Sequence, residues 1–288
     1  MKLLILGGDG MLGHQLVQSL APRHEIQATL RLRATAYTRM PKEILERAIF
    51  GVEAADFASI ERVIESARPQ AVINAIGAIK QRSEARDAVK SIEINALLPH
   101  KLACACDVMD ARLIQISTDC VFSGRKGGYR EADVPDPEDI YGRSKLLGEV
   151  TGPGAITLRS SIIGLELNHR DSLVEWFLAQ NGAIKGFRRA VFSGFTTLEM
   201  ARIVELVLLD HPEKQGLYHV SSAPIDKYTL LTKLRDRLDR DILIHADDDF
   251  QCDRSLDSSR FQSEFEYAPP TWDTMLDELS DQIRERDE

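Results

Sequence analysis

Short apolar segments alternate with longer amphipathic segments over the first half of the chain. Apolar runs of a few residues, bounded by polar or turn-forming residues, are typical of strands buried in a parallel sheet. A helix is predicted from Met11 to Leu20, and further helical stretches separate the later strands. Such alternation predicts right-handed βαβ units in a doubly wound parallel α/β sheet. The predicted strands are residues 3–6, 26–30, 71–73, 113–116 and 155–158.

The alternation becomes less regular after about residue 163. Helices are predicted at residues 172–180, 197–209 and 228–238, and a strand at 216–220. The acidic segment from Asp273 to Glu288 has the pattern of a solvated amphipathic helix. We therefore expect a Rossmann-like domain at 1–165 and a smaller C-terminal lobe at 166–288. That lobe is expected to be mainly substrate-binding, with some segments returning to the first domain.

Composition and charge narrow the classes of function. The 288 residues are 43% apolar and carry a formal net charge of −9, which is unlike a protein that binds nucleic-acid backbones. Four cysteines without framework spacing predict buried, free thiols in a reducing compartment. Because no basic leader precedes an apolar segment and no apolar run approaches about 20 residues, we expect a cytoplasmic protein. Neither a nucleic-acid, a membrane nor a metal partner is expected.

A glycine-rich turn follows the first predicted strand and opens the first helix. Gly7, Gly10 and Gly13 form a G-x-x-G-x-x-G pattern, which lets the backbone turn sharply and approach a pyrophosphate at the helix N-terminus. A plain tight turn is the alternative, but a position at the head of a βαβ unit favours a dinucleotide. Cofactor binding is therefore predicted for Gly7, Gly10, Met11, Leu12 and Gly13.

The end of the second predicted strand indicates which dinucleotide binds. Enzymes that use NAD normally place an acidic residue there, on the ribose 2′-hydroxyl. The segment 26–42 contains no Asp or Glu but contains Arg31, Arg33 and Arg39. Arginines suit a 2′-phosphate, since each guanidinium offers paired donors. NADPH is therefore favoured, with Arg31 and Arg33 at its phosphate, and the domain at 1–165 is expected to bind NADP. A solvated basic turn is the alternative, but it would leave the missing acid unexplained.

Tyr141 and Lys145 form a Y-x-x-x-K pair, which places both side chains on one face of a helix. The phenol has an ordinary pKa of about 10, and an adjacent ammonium is expected to lower it into a working range for acid-base catalysis. Such pairs also occur by chance on protein surfaces. Here Thr118 ends a predicted strand upstream, and its hydroxyl can orient a substrate oxygen toward Tyr141.

These segments resemble the dTDP-4-dehydrorhamnose reductase family of extended short-chain dehydrogenase/reductases. The resemblance is carried by Ser-Thr-Asp-Cys-Val-Phe-Ser-Gly at 117–124, Tyr-Arg-Glu at 129–131 and Tyr-Gly-Arg-Ser-Lys-Leu-Leu-Gly-Glu at 141–149. It is strong over about the first 165 residues and looser afterwards, although Leu-Asp-Ser-Ser-Arg at 256–260 also resembles the family's C-terminal substrate segment.

The resemblance implies hydride transfer from NADPH to the C4 ketone of a nucleotide-linked 4-keto-6-deoxyhexose, in surface-polysaccharide sugar biosynthesis. It implies that Thr118 polarises the ketone, that Tyr141 donates the proton, and that Lys145 tunes Tyr141 and holds the nicotinamide ribose. Tyr141 and Lys145 are both implied to contact the cofactor. The remaining implied cofactor residues are Asp56, Asn74, Ala75, Gly77 and Asn95. For Asn95 the alternative is an amide that only packs its helix.

The chain departs from the family pattern at several places. The rhamnose-pathway reductases usually have Tyr where this chain has Cys120, and the sequences at 79–81 and 188–189 also differ. The sugar and the nucleotide therefore stay open, with dTDP-4-dehydrorhamnose and a UDP-linked N-acetylated analogue both compatible. A nucleoside diphosphate needs cations, and for each candidate cation the alternative is ordinary surface charge. The substrate-binding candidates are Lys80, Cys120, Arg188, Arg189, Arg254 and Arg260.

Two other functions compete with simple reduction. In GDP-fucose synthases, which epimerise before reducing, a cysteine acts as acid-base group at the place of Cys120, and His169 is a candidate partner for it. A buried thiol is the alternative for Cys120. The other competitor is a non-catalytic NADP-binding regulatory subunit, like that of methionine adenosyltransferase. A nucleotide sugar is the expected partner, and a homodimer is left open.

Overall fold

A computed structural model describes residues 1–37, 40–78, 87–167 and 171–287. Its helices are Met11–Leu20 (α1), Lys42–Leu45 (α2), Phe57–Ala67 (α3), Ala88–Ser91 (α4), Leu98–Val108 (α5), Ile140–Leu147 (α6), Leu173–Leu178 (α7), Thr197–Leu209 (α8), Lys227–Arg237 (α9), Ser259–Glu264 (α10) and Trp272–Asp287 (α11). A π-helical segment, Ile92–Leu97, joins α4 to α5. Short 3-10 turns lie at Ala34–Ala36 and Asp119–Val121.

The strands fall into one large sheet and three small ones. The strands are Lys2–Leu6 (β1), Glu25–Leu30 (β2), Ala48–Phe50 (β3), Ala71–Asn74 (β4), Arg112–Thr118 (β5), Ala155–Ser160 (β6), Ile162–Ile163 (β7), Gly182–Phe187 (β8), Ala190–Phe192 (β9), Phe195–Thr196 (β10), Gly216–His219 (β11), Ile225–Asp226 (β12), Ile242–Asp247 (β13) and Cys252–Asp253 (β14). The large sheet has the order β11-β6-β5-β4-β1-β2-β3, and every pairing in it is parallel.

The predicted Rossmann-like parallel sheet is confirmed by this strand order. The order reverses between β1 and β4, where Leu6 pairs with Asn74 at the carboxyl ends of the two strands. Because neighbouring connections leave a sheet in opposite directions at such a point, a crevice forms there and ligands bind in it. Leu4, Ile5, Val72 and Ile73 are fully buried, as strands covered on both faces require.

The residues after 163 build short strands and five helices within the described part of the chain. The helices predicted at 172–180, 197–209 and 228–238 appear as α7, α8 and α9, and the strand predicted at 216–220 appears as β11. β11 pairs with β6 and so extends the large sheet. Helix α8 packs on α1, and their apolar residues belong to one buried cluster. β3 was not predicted, because its three half-buried residues are too short to show a pattern.

Helix α11 confirms the amphipathic pattern at the acidic end of the chain. Its apolar side, with Met275, Leu276 and Leu279, is buried, and Asp273 and Asp277 pair with Arg237 on α9. All four cysteines are free, as predicted, but Cys106 alone is buried and Cys104 is exposed, which corrects the prediction of four buried thiols. No helix among the described residues is long and apolar enough to cross a membrane.

Candidate active site

The glycine turn places α1 directly against the end of β1. Gly7 has a φ of 82°, a left-handed conformation that favours glycine, and its N–H donates to Thr29 Oγ1 at 3.1 Å. A Cβ on Gly13 would lie 2.0 Å from the Gly7 carbonyl oxygen, so only glycine permits this approach. Gly10 caps α1 without a side-chain hydrogen bond, and no acidic residue lies in the first turn. The first-turn N–H groups are therefore not taken up by a capping side chain and are available as donors to an anion.

The charged residues predicted beside the cofactor lie at the surface. Arg31 and Arg33 follow β2 and are exposed. Asp56 is also exposed, and its carboxylate caps α3 by accepting from the Ser59 N–H at 3.3 Å. That cap accounts for Asp56 locally. Arg39 lies outside the described residues.

The segment after β4 is fixed by two buried amides. Asn74 donates to Gln115 Oε1 at 2.8 Å and accepts from the Ile76 N–H at 3.2 Å. Asn95 bonds both backbone groups of Ala78, at 2.9 and 3.0 Å, and donates to Ser144 Oγ at 3.2 Å. Asn95 thus joins this turn to helix α6.

Ala75 and Gly77 line the open side of the same turn. Ala75 is partly buried and Gly77 is exposed, at the carboxyl end of β4. Since the amides of Asn74 and Asn95 are engaged by the protein, we assign their local effect to shaping this turn. Backbone atoms of Ala75 and Gly77 then face the crevice at the strand-order reversal.

Thr118 and Tyr141 meet at the carboxyl end of β5. Their side chains are close enough for the Thr118 hydroxyl to lower the pKa of Tyr141, and Thr118 Oγ1 donates to Asp119 Oδ1 at 3.1 Å and accepts from the Cys120 N–H at 3.2 Å. Burial raises the pKa of Tyr141 above its ordinary value, and the neighbouring Cys120 and Asp119 raise it further. The direction is therefore opposite to the lowering expected from Lys145, because desolvation of the phenol is the largest influence on this pKa.

Lys145 follows Tyr141 by one turn on helix α6 and is buried, with 7% of its surface exposed. Its Nζ donates to the Ile116 carbonyl at 2.6 Å, and Gln115 Nε2 donates to the same carbonyl at 3.1 Å. Burial lowers the pKa of Lys145 to about 8, although Glu149 acts in the opposite direction. Lys145 is therefore a cation that loses its proton near neutrality rather than at strongly alkaline pH.

A buried ion network extends from Lys145 toward β11. Glu149 holds Arg159 through two bonds of 2.7 and 2.6 Å, and the two side chains are 8% and 3% exposed. Ser117 Oγ donates to Glu149 Oε1 at 2.7 Å, and Arg159 Nη1 lies 3.1 Å from His219 Nε2. Burial lowers the pKa of His219, so this histidine is neutral at pH 7.

The predicted substrate cations are not gathered at one place. Arg254 donates to the Phe122 carbonyl at 2.8 Å. Although burial lowers the pKa of Arg254, nearby acidic groups and thiols raise it, and these are Cys120, Cys252, Asp119 and Asp139. Arg188 and Arg189 pair at the surface with Asp248 and Gln251, and Arg260 pairs with Glu264 at 2.9 Å. Only Arg254 among these four borders the Thr118–Tyr141 pair; Lys80 lies outside the described residues.

Three further groups at the site were not singled out from the sequence. Asp119 is 6% exposed, and burial raises its pKa while Arg254 and Lys227 lower it. Asp139 caps α6 by accepting from the Gly142 N–H at 2.8 Å and lies near Tyr141. The Ser-Thr-Asp sequence contained a signal for Asp119. No local pattern could place Lys227, which lies 108 residues after it, beside it.

The side chains of the described residues contain no cluster of His, Cys, Asp or Glu that could hold a metal ion. The site is instead a set of hydroxyls, one buried ammonium and backbone N–H groups along one edge of a parallel sheet. Such a set can bind a dinucleotide and protonate a carbonyl oxygen.

Comparison with known proteins gives one family match. The family model described as RmlD substrate binding domain matches residues 1–163. A dTDP-4-dehydrorhamnose reductase from Aggregatibacter actinomycetemcomitans is 25% identical over 241 residues, covering 77% of this chain and 74% of that protein. The spore coat polysaccharide biosynthesis protein SpsK of Bacillus subtilis is 28% identical over 233 residues, covering 78% and 74%. Two further proteins named dTDP-4-dehydrorhamnose reductase, from Burkholderia thailandensis and Mycobacterium tuberculosis, match this chain over 50% and 44% of their own length.

A solved structure shares the whole fold. The crystal structure of a dTDP-4-dehydrorhamnose reductase from Bacillus anthracis, in complex with NADP, has a TM-score of 0.79 against this chain. The superposition covers 97% of this chain and 98% of that chain, at 19% sequence identity. At that identity the likeness establishes the architecture.

Proposed function

The chain belongs to the RmlD substrate binding domain family, and from that membership we propose that it is an NADPH-dependent oxidoreductase acting on a nucleotide sugar. Its reaction is reduction of the C4 ketone of a nucleotide-linked 4-keto-6-deoxyhexose, either dTDP-4-dehydrorhamnose or a UDP-linked N-acetylated analogue. The observation that carries the proposal is that Thr118, Tyr141 and Lys145 lie together at the carboxyl end of the parallel sheet, where the glycine turn also lies. The names of the curated relatives support reduction of a sugar nucleotide.

The residues at this edge fit a dinucleotide. The uncapped first turn of α1 offers N–H donors to a pyrophosphate, and Gly13 allows the helix to approach closely. Arg31 and Arg33 are exposed at the end of β2 and suit a 2′-phosphate. When bound, NADPH would supply the hydride. Ala75 and Gly77 would line the crevice beside it.

Tyr141 is the proton donor in this proposal. Burial raises the pKa of Tyr141, so the phenol keeps its proton until a ketone oxygen accepts it. The Thr118 hydroxyl, which donates to Asp119 at 3.1 Å, must turn toward the ketone to polarise it. The Lys145 ammonium stabilises the phenolate that remains and holds the ribose hydroxyls.

Residues 166–288 form the substrate lobe in this proposal. Arg254 is our first choice for the diphosphate, because it borders Asp119 and Cys120 and its bond to the Phe122 carbonyl positions it. Lys227 is a second cation near Asp119. Arg188, Arg189 and Arg260 would need to leave their present partners to join them.

A second candidate function is epimerisation followed by reduction. It is favoured by one observation: the Cys120 thiol lies beside the buried Asp119 carboxylate, close enough to lower the pKa of that carboxyl, and both groups lie next to Tyr141. A carboxylate so placed can take up the thiol proton and make Cys120 a base toward a carbon next to the ketone. His169, the partner named from the sequence, lies outside the described residues.

Incubation with NADPH and a panel of dTDP- and UDP-linked 4-keto-6-deoxy sugars tests the proposal. Loss of nicotinamide absorbance with one sugar, and formation of its C4 alcohol, is the expected result. Ring deuterium gained from heavy water at C3 or C5 would identify epimerisation. Tight NADPH binding without turnover on any sugar would contradict the reductase and favour a regulatory subunit.

A further inference from the structure

Asp9 brings a carboxylate to the end of β2, where the local sequence contains no acid. It belongs to the glycine turn after β1 and is partly exposed. The Tyr37 hydroxyl donates to Asp9 Oδ2 at 2.7 Å and accepts from the Leu32 N–H at 2.8 Å. Leu32 lies just beyond β2, so one hydroxyl joins the glycine turn to the loop that carries Arg31 and Arg33.

Tyr37 is fixed in this bridge by its own packing. It is 3% exposed, and its ring lies 6.2 Å from that of Phe50. Burial raises the pKa of Tyr37 to about 12, so the hydroxyl stays protonated at neutral pH. Because its oxygen already accepts from Leu32, its proton is directed to Asp9. The Asp9 carboxylate is thereby held in one place.

The position of this carboxylate is the one at which a Rossmann-like sheet meets the adenosine ribose. The ribose 2′ position lies at the carboxyl end of the second strand, and a carboxylate there accepts hydrogen bonds from its hydroxyls. Within the described ranges, no group donates to the other oxygen of Asp9, Oδ1. A carboxylate in that place repels a 2′-phosphate, while Arg31, which lies near Tyr37, attracts it.

We propose that Asp9 is a specificity-determining residue for the dinucleotide and limits the preference of this chain for NADPH over NADH. Asp9 accepts from the ribose hydroxyls that NADH presents, and Arg31 and Arg33 bind the phosphate that NADPH presents. The inference rests on the proposed use of NADPH. It adds that the acid expected at the end of β2 is supplied by the glycine turn, so NADH remains a usable cofactor.

The test compares two sets of substitutions that are expected to change the ratio of NADPH to NADH affinity in opposite directions. Asp9→Asn removes the charge but keeps an amide oxygen for the Tyr37 hydroxyl, so the bridge is retained. Its ratio of NADPH to NADH affinity is expected to rise about tenfold, as loss of one repulsive charge at the phosphate predicts. Arg31→Ala combined with Arg33→Ala is expected to move the ratio about tenfold or more in the other direction. Dissociation constants of both dinucleotides are measured by titration without a sugar.

Asp107→Asn is the matched control. Asp107 is exposed near the end of α5, and that helix end leads into the amino end of β5, opposite the crevice. The Asp107→Asn substitution removes the same charge from the molecule but far from the crevice, so the ratio of NADPH to NADH affinity is expected to stay at the wild-type value. If Asp9→Asn lowers the melting temperature sharply, Asp9→Ser takes its place in the titrations, since it also removes the charge.

An unchanged ratio in both Asp9 variants, or an equal loss of both dinucleotides, would overturn the inference and leave Asp9 a purely structural tie. The proposed reductase would survive that result, because NADPH would still bind. If the wild-type chain bound neither dinucleotide, the proposed function would fail together with the inference.

Discussion

The glycine turn, with the end of β2, and the buried charges behind Lys145 are built in opposite ways. At the glycine turn the chain offers backbone N–H groups and exposed arginines, with anchoring contacts from residues no more than about thirty positions away. Behind Lys145 the charges are buried: Glu149 and Arg159 are 10 residues apart, and His219 joins them from a strand 60 residues after Arg159. The first region depends on backbone geometry and the second on fully paired charges, so substitutions should affect them differently.

The largest expected effect is on the buried network. Glu149→Gln leaves the Arg159 guanidinium buried without its carboxylate partner, and the free energy of unfolding is expected to fall by about 3–5 kcal/mol. Urea denaturation measures it. Glu138→Gln breaks the exposed pair with Arg125 and is expected to cost less than about 1 kcal/mol. Equal losses in the two variants would mean that burial of the Glu149–Arg159 pair does not increase its contribution to stability.

Tyr141→Phe separates chemistry from cofactor binding. It removes the proton donor while the ring stays in place, so kcat is expected to fall by about 10² or more. NADPH affinity is expected to be nearly unchanged, because the glycine turn and the end of β2 are built by other residues. Steady-state kinetics and cofactor titration measure the two quantities. Retention of a tenth of the wild-type kcat would mean that another group is the acid.

The pH dependence of kcat/KM reports on Lys145. Its pKa is lowered to about 8, so the ammonium is present below that pH and is lost as the pH rises through it. Since burial raises the pKa of Tyr141, Lys145 titrates first, and kcat/KM is expected to fall about tenfold per unit above about pH 8. Glu149 raises the pKa of Lys145, so a folded Glu149→Gln enzyme should lose activity at lower pH. A flat profile up to about pH 10 would exclude Lys145 as the working cation.

The smallest expected effect is at Cys120. If the chain only reduces, Cys120→Ser keeps most of the turnover, because the hydroxyl can still hydrogen-bond the Asp119 carboxylate. Mass spectrometry of product formed in heavy water checks the alternative. A ring deuteron acquired with the wild type and lost with Cys120→Ser would overturn pure reduction and establish epimerisation.

The contrast between the regions also describes what the sequence could predict. The strands of the parallel sheet and the glycine turn are each encoded by a short run of neighbouring residues, and such local patterns are visible in the chain. The bridge from Asp9 through Tyr37 to Leu32 is not, because two segments of the fold must meet before the carboxylate lies beside β2. The same holds for Lys227 near Asp119, and for burial, which sets the pKa of Tyr141 against the direction expected from its neighbour Lys145.

The late strand β11 has a consequence for how the chain can be divided. Residues 216–219 supply the outer strand beside β6, and His219 from that strand contacts Arg159. A fragment ending near residue 163 would therefore expose the backbone of β6 as an open edge, with a guanidinium lacking one neighbour. Open edges recruit other chains, so such a fragment is expected to aggregate. During synthesis the large sheet can close only after most of the chain has left the ribosome, which makes its completion a late event in folding.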